Sequence, residues 1–157
     1  MLNKVDRALD RLFTAIERVL AFALLAIICV NFANVIGRYL FSRTILGADE
    51  WQVYTMIWMT FLGAAVVTWR GEHLRMDVLV KRFPPLLART LAVLEVVLLV
   101  TLAVFVVVES TRYTANMVGV SSAVGGIAMW IPHSSIVAGY GLIALIGLRQ
   151  LMNGARA

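Results

Sequence analysis

The segment VLAFALLAIICVNFANVIG, residues 19–37, decides the fold, because it carries no charged residue between Arg18 and Arg38. A helix needs roughly 20 mostly apolar residues to cross a hydrocarbon core of about 30 Å. Three more such segments lie at 51–69, 90–108 and 115–148, interrupted only by Glu95. With 61% hydrophobic and 15% charged residues, the chain is too apolar for a soluble domain. The sequence therefore predicts an all-α integral membrane protein with four transmembrane helices.

The predicted boundaries divide one membrane domain, residues 1–157, into spans and connections. The spans are expected at about residues 19–40, 51–69, 86–108 and 130–148. Residues 113–128 mix apolar residues with serine and glycine, which favour turns. Irregular backbone facing lipid would leave amides unpaired. We therefore expect 113–128 to lie at the outer membrane surface or against protein.

An amphipathic helix is predicted before the first span, over residues 2–18. Apolar residues recur there at three- and four-residue spacing, which is typical of one helix face. They are Leu2, Val5, Leu9, Leu12, Phe13 and Ile16, and Leu20 continues the stripe. This face suits the cytoplasmic membrane surface. A docking face for a partner protein fits the same pattern and stays open as an alternative.

The basic residues predict the orientation of the chain. Eleven of the 14 lysines and arginines fall in the N-terminal segment, the second connection and the C-terminus, and the other side receives Arg38, Arg43 and Arg112. Lysine and arginine are retained on the cytoplasmic side during insertion. Both termini are therefore expected in the cytoplasm. The pI near 10 is interpreted as this topological signal, and no nucleic-acid partner is predicted from it.

The residues that carry chemistry are few and far apart. His73 falls in the cytoplasmic connection and His133 at the outer start of the fourth span, so one bilayer thickness would separate them. They cannot ligate the same haem or metal ion, and the single Cys29 excludes a dithiol relay. No motif places a nucleophile beside a base. The sequence predicts no enzyme, no cofactor and no metal site.

Glu95 is the one acid inside a predicted span. Intramembrane acids are costly and often mark ion or proton pathways. One hypothesis is a small, self-sufficient, homodimeric proton-coupled transporter that uses Glu95. The other is a protonated or hydrogen-bonded side chain that pins one helix to another. Few other polar residues occupy the spans, which favours the second hypothesis.

Two further groups of residues are candidates for contacts with protein. Small side chains that allow helices to approach closely are Gly63, Ser134, Ala138 and Gly141, with Ser135 and Gly139 beside them. Arg38 faces Asp49 and Glu50 across the first outer connection. These three form either an ion pair within the chain or a docking surface for an extracytoplasmic partner.

An ordered series of motifs resembles the small membrane subunit of TRAP (tripartite ATP-independent periplasmic) transporters, the DctQ-type family. The motifs are Gly37-Arg38-Tyr39-Leu40-Phe41, Ala48-Asp49-Glu50, Phe61-Leu62-Gly63-Ala64-Ala65, Arg70-Gly71-Glu72-His73-Leu74-Arg75-Met76-Asp77 and Arg82-Phe83-Pro84-Pro85. They cover about residues 37–85, and the length and four-span topology extend the resemblance loosely over the rest.

The resemblance implies a non-catalytic role in a bacterial or archaeal inner membrane. In that family a soluble periplasmic protein delivers an organic acid to a membrane pair, and a large multi-span subunit carries it with Na⁺. The small subunit is expected to brace the fixed scaffold of the large one. Arg38, Asp49 and Glu50 then lie near the periplasmic partner. His73 and Asp77 match the cytoplasmic motif and are assigned to anchoring against lipid or the large subunit.

Overall fold

The computed structural model describes residues 2–43, 47–71 and 85–154, which form four long helices. They are α1, Leu2–Phe41; α2, Ala48–Arg70; α3, Pro85–Asn116; and α4, Trp130–Gly154. Each helix contains a stretch long and apolar enough to cross a bilayer. The predicted all-α membrane fold with four transmembrane helices is confirmed.

The N-terminal amphipathic segment and the first span form one continuous helix, α1, of 40 residues. No glycine or proline occurs from Leu2 to Ile36, so nothing in the local sequence breaks the helix at Arg18. At 1.5 Å per residue, α1 is about 60 Å long, roughly twice the thickness of the hydrocarbon core. Residues 2–18, predicted as an amphipathic helix before the first span, are thus the first part of α1 and not a separate helix.

The ends of the helices follow their local sequence. α1 ends where Ser42 adopts a positive φ of 51°, and the Arg43 amide donates to the Gly37 carbonyl at 3.0 Å. Glycines with left-handed φ flank α2, Gly47 before it and Gly71 after it, as glycine allows. α3 continues to Asn116. Residues 113–116 of the expected surface segment are therefore helical, and the irregular part is 117–129.

The helices are arranged as an open row, in the order α1, α2, α4, α3. α1 packs mainly against α2, α2 packs against α4, and α4 makes its most extensive contact with α3. Within the described ranges, no comparably extensive contact joins the two edge helices, α1 and α3. A row of this kind leaves broad apolar faces on both sides, since α2 and α4 each have two helix neighbours in the row and the edge helices α1 and α3 have one each.

The core is small because most apolar side chains face outward. Its buried members are Phe13, Ala65, Val66, Ala103, Ile143, Ala144 and Ile146. Several threonines in the spans donate their hydroxyl to the carbonyl four residues earlier, including Thr55, Thr60 and Thr101. These hydroxyls are satisfied by their own helix, which is what a low-water environment requires.

Candidate functional site

Polar residues from different helices meet at both ends of the long helix axes, and these two ends are named after Glu50 and Arg70. The Glu50 end comprises the end of α1, the start of α2, the end of α3 and the start of α4. Its four helix ends carry exposed aromatic side chains, Tyr39, Trp51, Tyr113 and Trp130. Such rings prefer the level of the lipid headgroups. The opposite Arg70 end comprises the start of α1 and the ends of α2 and α4.

The Glu50 carboxylate joins two parts of the chain that are more than 70 residues apart. It accepts a hydrogen bond from the Ser122 hydroxyl at 2.6 Å. It also accepts from the backbone amides of Val124, at 3.1 Å, and Gly125, at 2.8 Å. Hydrogen bonds to an ionised carboxylate are stronger than neutral ones. Glu50 therefore fastens the 117–129 loop to the first turn of α2.

The 117–129 loop is also ordered by its own hydrogen bonds. The Ser122 amide donates to the Ile127 carbonyl at 2.8 Å, and the Met129 amide donates to the Val120 carbonyl at 2.9 Å. The Ile127 amide donates to the Ser122 hydroxyl at 3.1 Å. Ser122 thus connects the carboxylate of α2 to the backbone of the loop. Sequence reasoning noticed the serines and glycines here but not their partner.

Asp49 and Arg38 are placed differently from Glu50. Asp49 accepts a long hydrogen bond, 3.4 Å, from the amide of Asn34 on α1, while Arg38 is exposed. Across the described parts of the chain, no ion pair joins Arg38 to Asp49 or Glu50. The alternative of an internal Arg38 ion pair is not what the structure shows. The polar residues that meet the two acids are Asn34 and Ser122, and spacing along the sequence could not identify them.

A second polar cluster lies at the Arg70 end. Arg70, the last residue of α2, contacts Asp10 at 3.5 Å and Glu17 at 2.8 Å on α1. It also donates to the Thr14 hydroxyl at 3.3 Å. Arg149 of α4 pairs with Asp6 of α1. Three acids on α1, spaced by about one and two helical turns, thus meet an arginine from each of two other helices.

An apolar stack lies inside this cluster. Phe13 is fully buried, and its ring stacks on Trp69 with the centroids 4.9 Å apart. The Arg149 guanidinium lies over the Trp69 ring at 4.9 Å, a cation–π contact. Leu9, Ile16 and Leu20 also pack against the core. Much of the amphipathic stripe of α1 is therefore used within the chain, although Leu12 is 45% exposed.

The small residues divide into two groups. A Cβ at Gly139 would lie 2.6 Å from the Phe61 carbonyl oxygen, so α2 and α4 touch backbone to backbone there. Ser135, one turn earlier, is fully buried. By contrast, a Cβ at Gly63 or Gly141 would meet nothing within 4 Å in the described structure. Ser134 and Ala138 are half-buried. The close contact within the chain thus uses the face beside the one that the sequence favoured.

Glu95 lies on the edge helix α3, and its side chain is exposed. Exposed apolar neighbours surround it along the helix, among them Leu91, Leu94 and Leu98. His133 lies at the Glu50 end, near the start of α4, and its ring centroid is 5.1 Å from that of Tyr113. Over residues 2–43, 47–71 and 85–154, no three His, Cys, Asp or Glu side chains are grouped to hold a metal ion. His73 and Asp77 lie outside the described residues.

Comparison with known proteins gives a consistent result. Residues 27–157 match the family described as tripartite ATP-independent periplasmic transporters, DctQ component. The chain is 34% identical over 97 residues to the C4-dicarboxylate TRAP transporter small permease protein DctQ of Vibrio cholerae, covering 62% of this chain and 42% of that protein. It is 32% identical over 80 residues to a putative TRAP transporter small permease protein of Haemophilus influenzae, covering 50% of each. The matches span about half the length of these relatives.

Proposed function

The chain belongs to the DctQ family of TRAP transporter components, and on that premise we propose that it braces a large, multi-span transport subunit in the inner membrane. The complex would import an organic acid with Na⁺, supplied by a periplasmic substrate-binding protein. The chain itself carries no substrate in this proposal. Its contribution is mechanical, because alternating access needs one part to move against another that stays fixed.

The open row of helices is the observation that carries this proposal. A row exposes apolar faces along both sides of α1 and α3. Such faces are suited to packing against a larger membrane protein. The open space at Gly63 and Gly141 would let another helix approach closely, as small residues allow in membranes. The threonine hydroxyls in the spans are bonded to their own helices, which leaves them poorly suited to line a solute path.

We assign the Glu50 end to the periplasmic side and the Arg70 end to the cytoplasm. The excess of lysine and arginine in the segments of the Arg70 end supports this orientation. At the Glu50 end, Arg38 and Asp49 are exposed and form the candidate docking charges for the substrate-binding protein. Glu50 would act indirectly, by holding the loop beside them. His73 and Asp77 remain candidates for cytoplasmic anchoring.

Purification from the native host tests the proposal. The tagged chain, extracted into nanodiscs, is expected to bring down a much larger multi-span protein in fixed stoichiometry, identified by mass spectrometry. Deletion of the chain should abolish Na⁺-dependent uptake of the organic acid without changing the affinity of the soluble binding protein for it. A chain that purifies alone as a homo-oligomer would contradict the bracing role. Glu95, exposed on an edge helix, would then become the residue to test in proton-coupled transport.

A further inference from the structure

The 117–129 loop has the composition of a membrane segment although it is not a helix. No charged residue occurs from Tyr113 to Leu148. Valines project from the loop, with Val118 69%, Val120 45% and Val124 61% exposed. A connection that lies in water ordinarily carries charged or strongly polar side chains. This loop instead presents apolar side chains next to the lipid-facing ends of α3 and α4.

More than half of the backbone amides of the loop have acceptors within the chain. Irregular backbone is tolerated near hydrocarbon only when its amides have partners. Nine of the 15 amides between residues 117 and 131 donate to acceptors of this chain, those of Met117, Val118, Val120, Ser122, Val124, Gly125, Ile127, Met129 and Ile131. Withdrawal of water therefore costs less for this loop than for a loop whose amides have no such partners.

Glu50 completes this arrangement. Two of the nine amides, those of Val124 and Gly125, have the Glu50 carboxylate as their acceptor. A Cβ at Gly125 would lie 2.8 Å from Glu50 Oε2, so the loop backbone and the carboxylate are in close contact. The carboxylate in turn has three donors directed at it. Paired in this way, a charge at the membrane boundary costs less than a solitary one.

The exposed aromatic residues give the depth of the loop. Tyr113 and Trp130 flank it in sequence, and Trp51 follows Glu50 directly. All three are exposed, as expected of residues at the headgroup level. Tyr113 and Trp130 lie before and after the loop in sequence, so its exposed valines are expected near the same level. A lipid surface is the occupant that matches an uncharged face of exposed valines.

We propose that the 117–129 loop lies in the interfacial layer of the leaflet at the Glu50 end, with Val118 and Val124 among lipid chains and Glu50 as the residue that makes this insertion possible. This inference requires that the helices cross a bilayer, and it does not depend on the transport role.

Spin labels measure the depth of the loop directly. In a Cys29→Ala background, labels are placed at Val118→Cys and Val124→Cys in nanodiscs of phosphatidylethanolamine and phosphatidylglycerol. Collision rates with oxygen, which concentrates in lipid, are compared with those of a water-soluble nickel chelate. Ser42→Cys serves as the water control and Leu98→Cys as the lipid control. The two loop labels are expected to favour oxygen at least several-fold more than Ser42→Cys, and values equal to the Ser42 control would overturn the proposal.

The role of Glu50 is tested on the same labels. Glu50→Gln is expected to raise nickel access at Val124, and Asp49→Asn, its matched control, is expected to leave it unchanged. Ser122→Ala should shift access in the same direction as Glu50→Gln, and circular dichroism checks that each variant keeps its helices. Unchanged nickel access in both Glu50→Gln and Ser122→Ala would refute the proposed role of Glu50 in the insertion of the loop. Labels that the nickel chelate reaches in the isolated chain but not in a purified complex would assign the valines to a protein partner instead of lipid.

Discussion

The Cα of Gly139 lies so close to Phe61 that a methyl group at position 139 would meet the Phe61 carbonyl oxygen at 2.6 Å and the Phe61 Cβ at 2.7 Å. The obstacle is largely backbone, which cannot rotate away as a side-chain end can. Two residues after Gly139, Gly141 has open space on the same helix. Substitutions at Gly139 therefore test packing within the chain, whereas substitutions at Gly141 test packing against another protein.

Gly139→Ala is expected to destabilise the isolated chain, because α2 and α4 must separate to admit the methyl group. Overpacking of this kind costs about 1–3 kcal/mol. Unfolding of the detergent-solubilised protein, followed by circular dichroism, measures the loss. Gly141→Ala is the matched control and is expected to be at least as stable as the wild type, since alanine favours a helix more than glycine does. Equal stability of the two variants would show that the backbone contact between α2 and α4 is not as close as described.

Leucine at the two open glycines is expected to affect assembly and not folding. Gly63→Leu and Gly141→Leu should each fold alone, because a Cβ at either position has no atom of the described structure within 4 Å. If a helix of the large subunit packs there, both variants should co-purify less of it and transport less. Ala8→Leu, at an exposed position in the charged N-terminal part of α1, adds a similar volume outside the apolar span and serves as the control. Normal assembly and transport by both glycine variants would remove these faces from the proposed interface.

Phe13→Ala is expected to loosen the N-terminal half of α1. Phe13 is fully buried against Trp69, and truncation of a buried phenylalanine costs about 3 kcal/mol or more. Phe22→Ala removes the same atoms from a side chain that is 75% exposed and should change stability by less than about 0.5 kcal/mol. The free energy of unfolding in detergent compares them. Similar losses would show that the buried stack does not hold α1 in place.

Arg70→Ala is expected to have a smaller effect than Phe13→Ala, although Arg70 contacts two acids. The acids Asp10 and Glu17 are more than half exposed, and exposed ion pairs contribute about 0–1 kcal/mol each. Salt screens such pairs, so the difference between Arg70→Ala and wild type should shrink as the salt concentration rises. A loss that equals that of Phe13→Ala and does not respond to salt would contradict this ranking.

Ser122→Ala should weaken the hold of α2 on the 117–129 loop. It removes the hydroxyl that donates to Glu50 and accepts from the Ile127 amide. Hydrogen–deuterium exchange of peptides covering 117–129 is therefore expected to accelerate several-fold. Ser121→Ala makes the same chemical change at an exposed neighbour and should leave exchange unchanged. Equal rates in both variants would mean that Ser122 does not order the loop.

The uncharged runs predicted four crossing helices, since each run had the length of a bilayer. One of the two alternatives for Arg38, an ion pair with Asp49 or Glu50, rested on their places on either side of the first outer connection, and the structure instead gives the two acids partners on α1 and in the distant loop. The small residues indicated that α4 packs closely, yet Gly139 makes the close contact with Phe61 and Gly141 does not.

The sequence alone determined the number of helices and their membrane character, because the thickness of a bilayer turns a local count of apolar residues into a span. Only the tertiary structure decided the row order of the helices, the stacking of Phe13 on Trp69 and the closure of the loop by Glu50. Lipid is as apolar as leucine, so an apolar pattern does not distinguish a face that meets another helix from one that meets lipid. Those choices depend on backbone approach and on polar partners far apart in the chain, which local sequence does not encode.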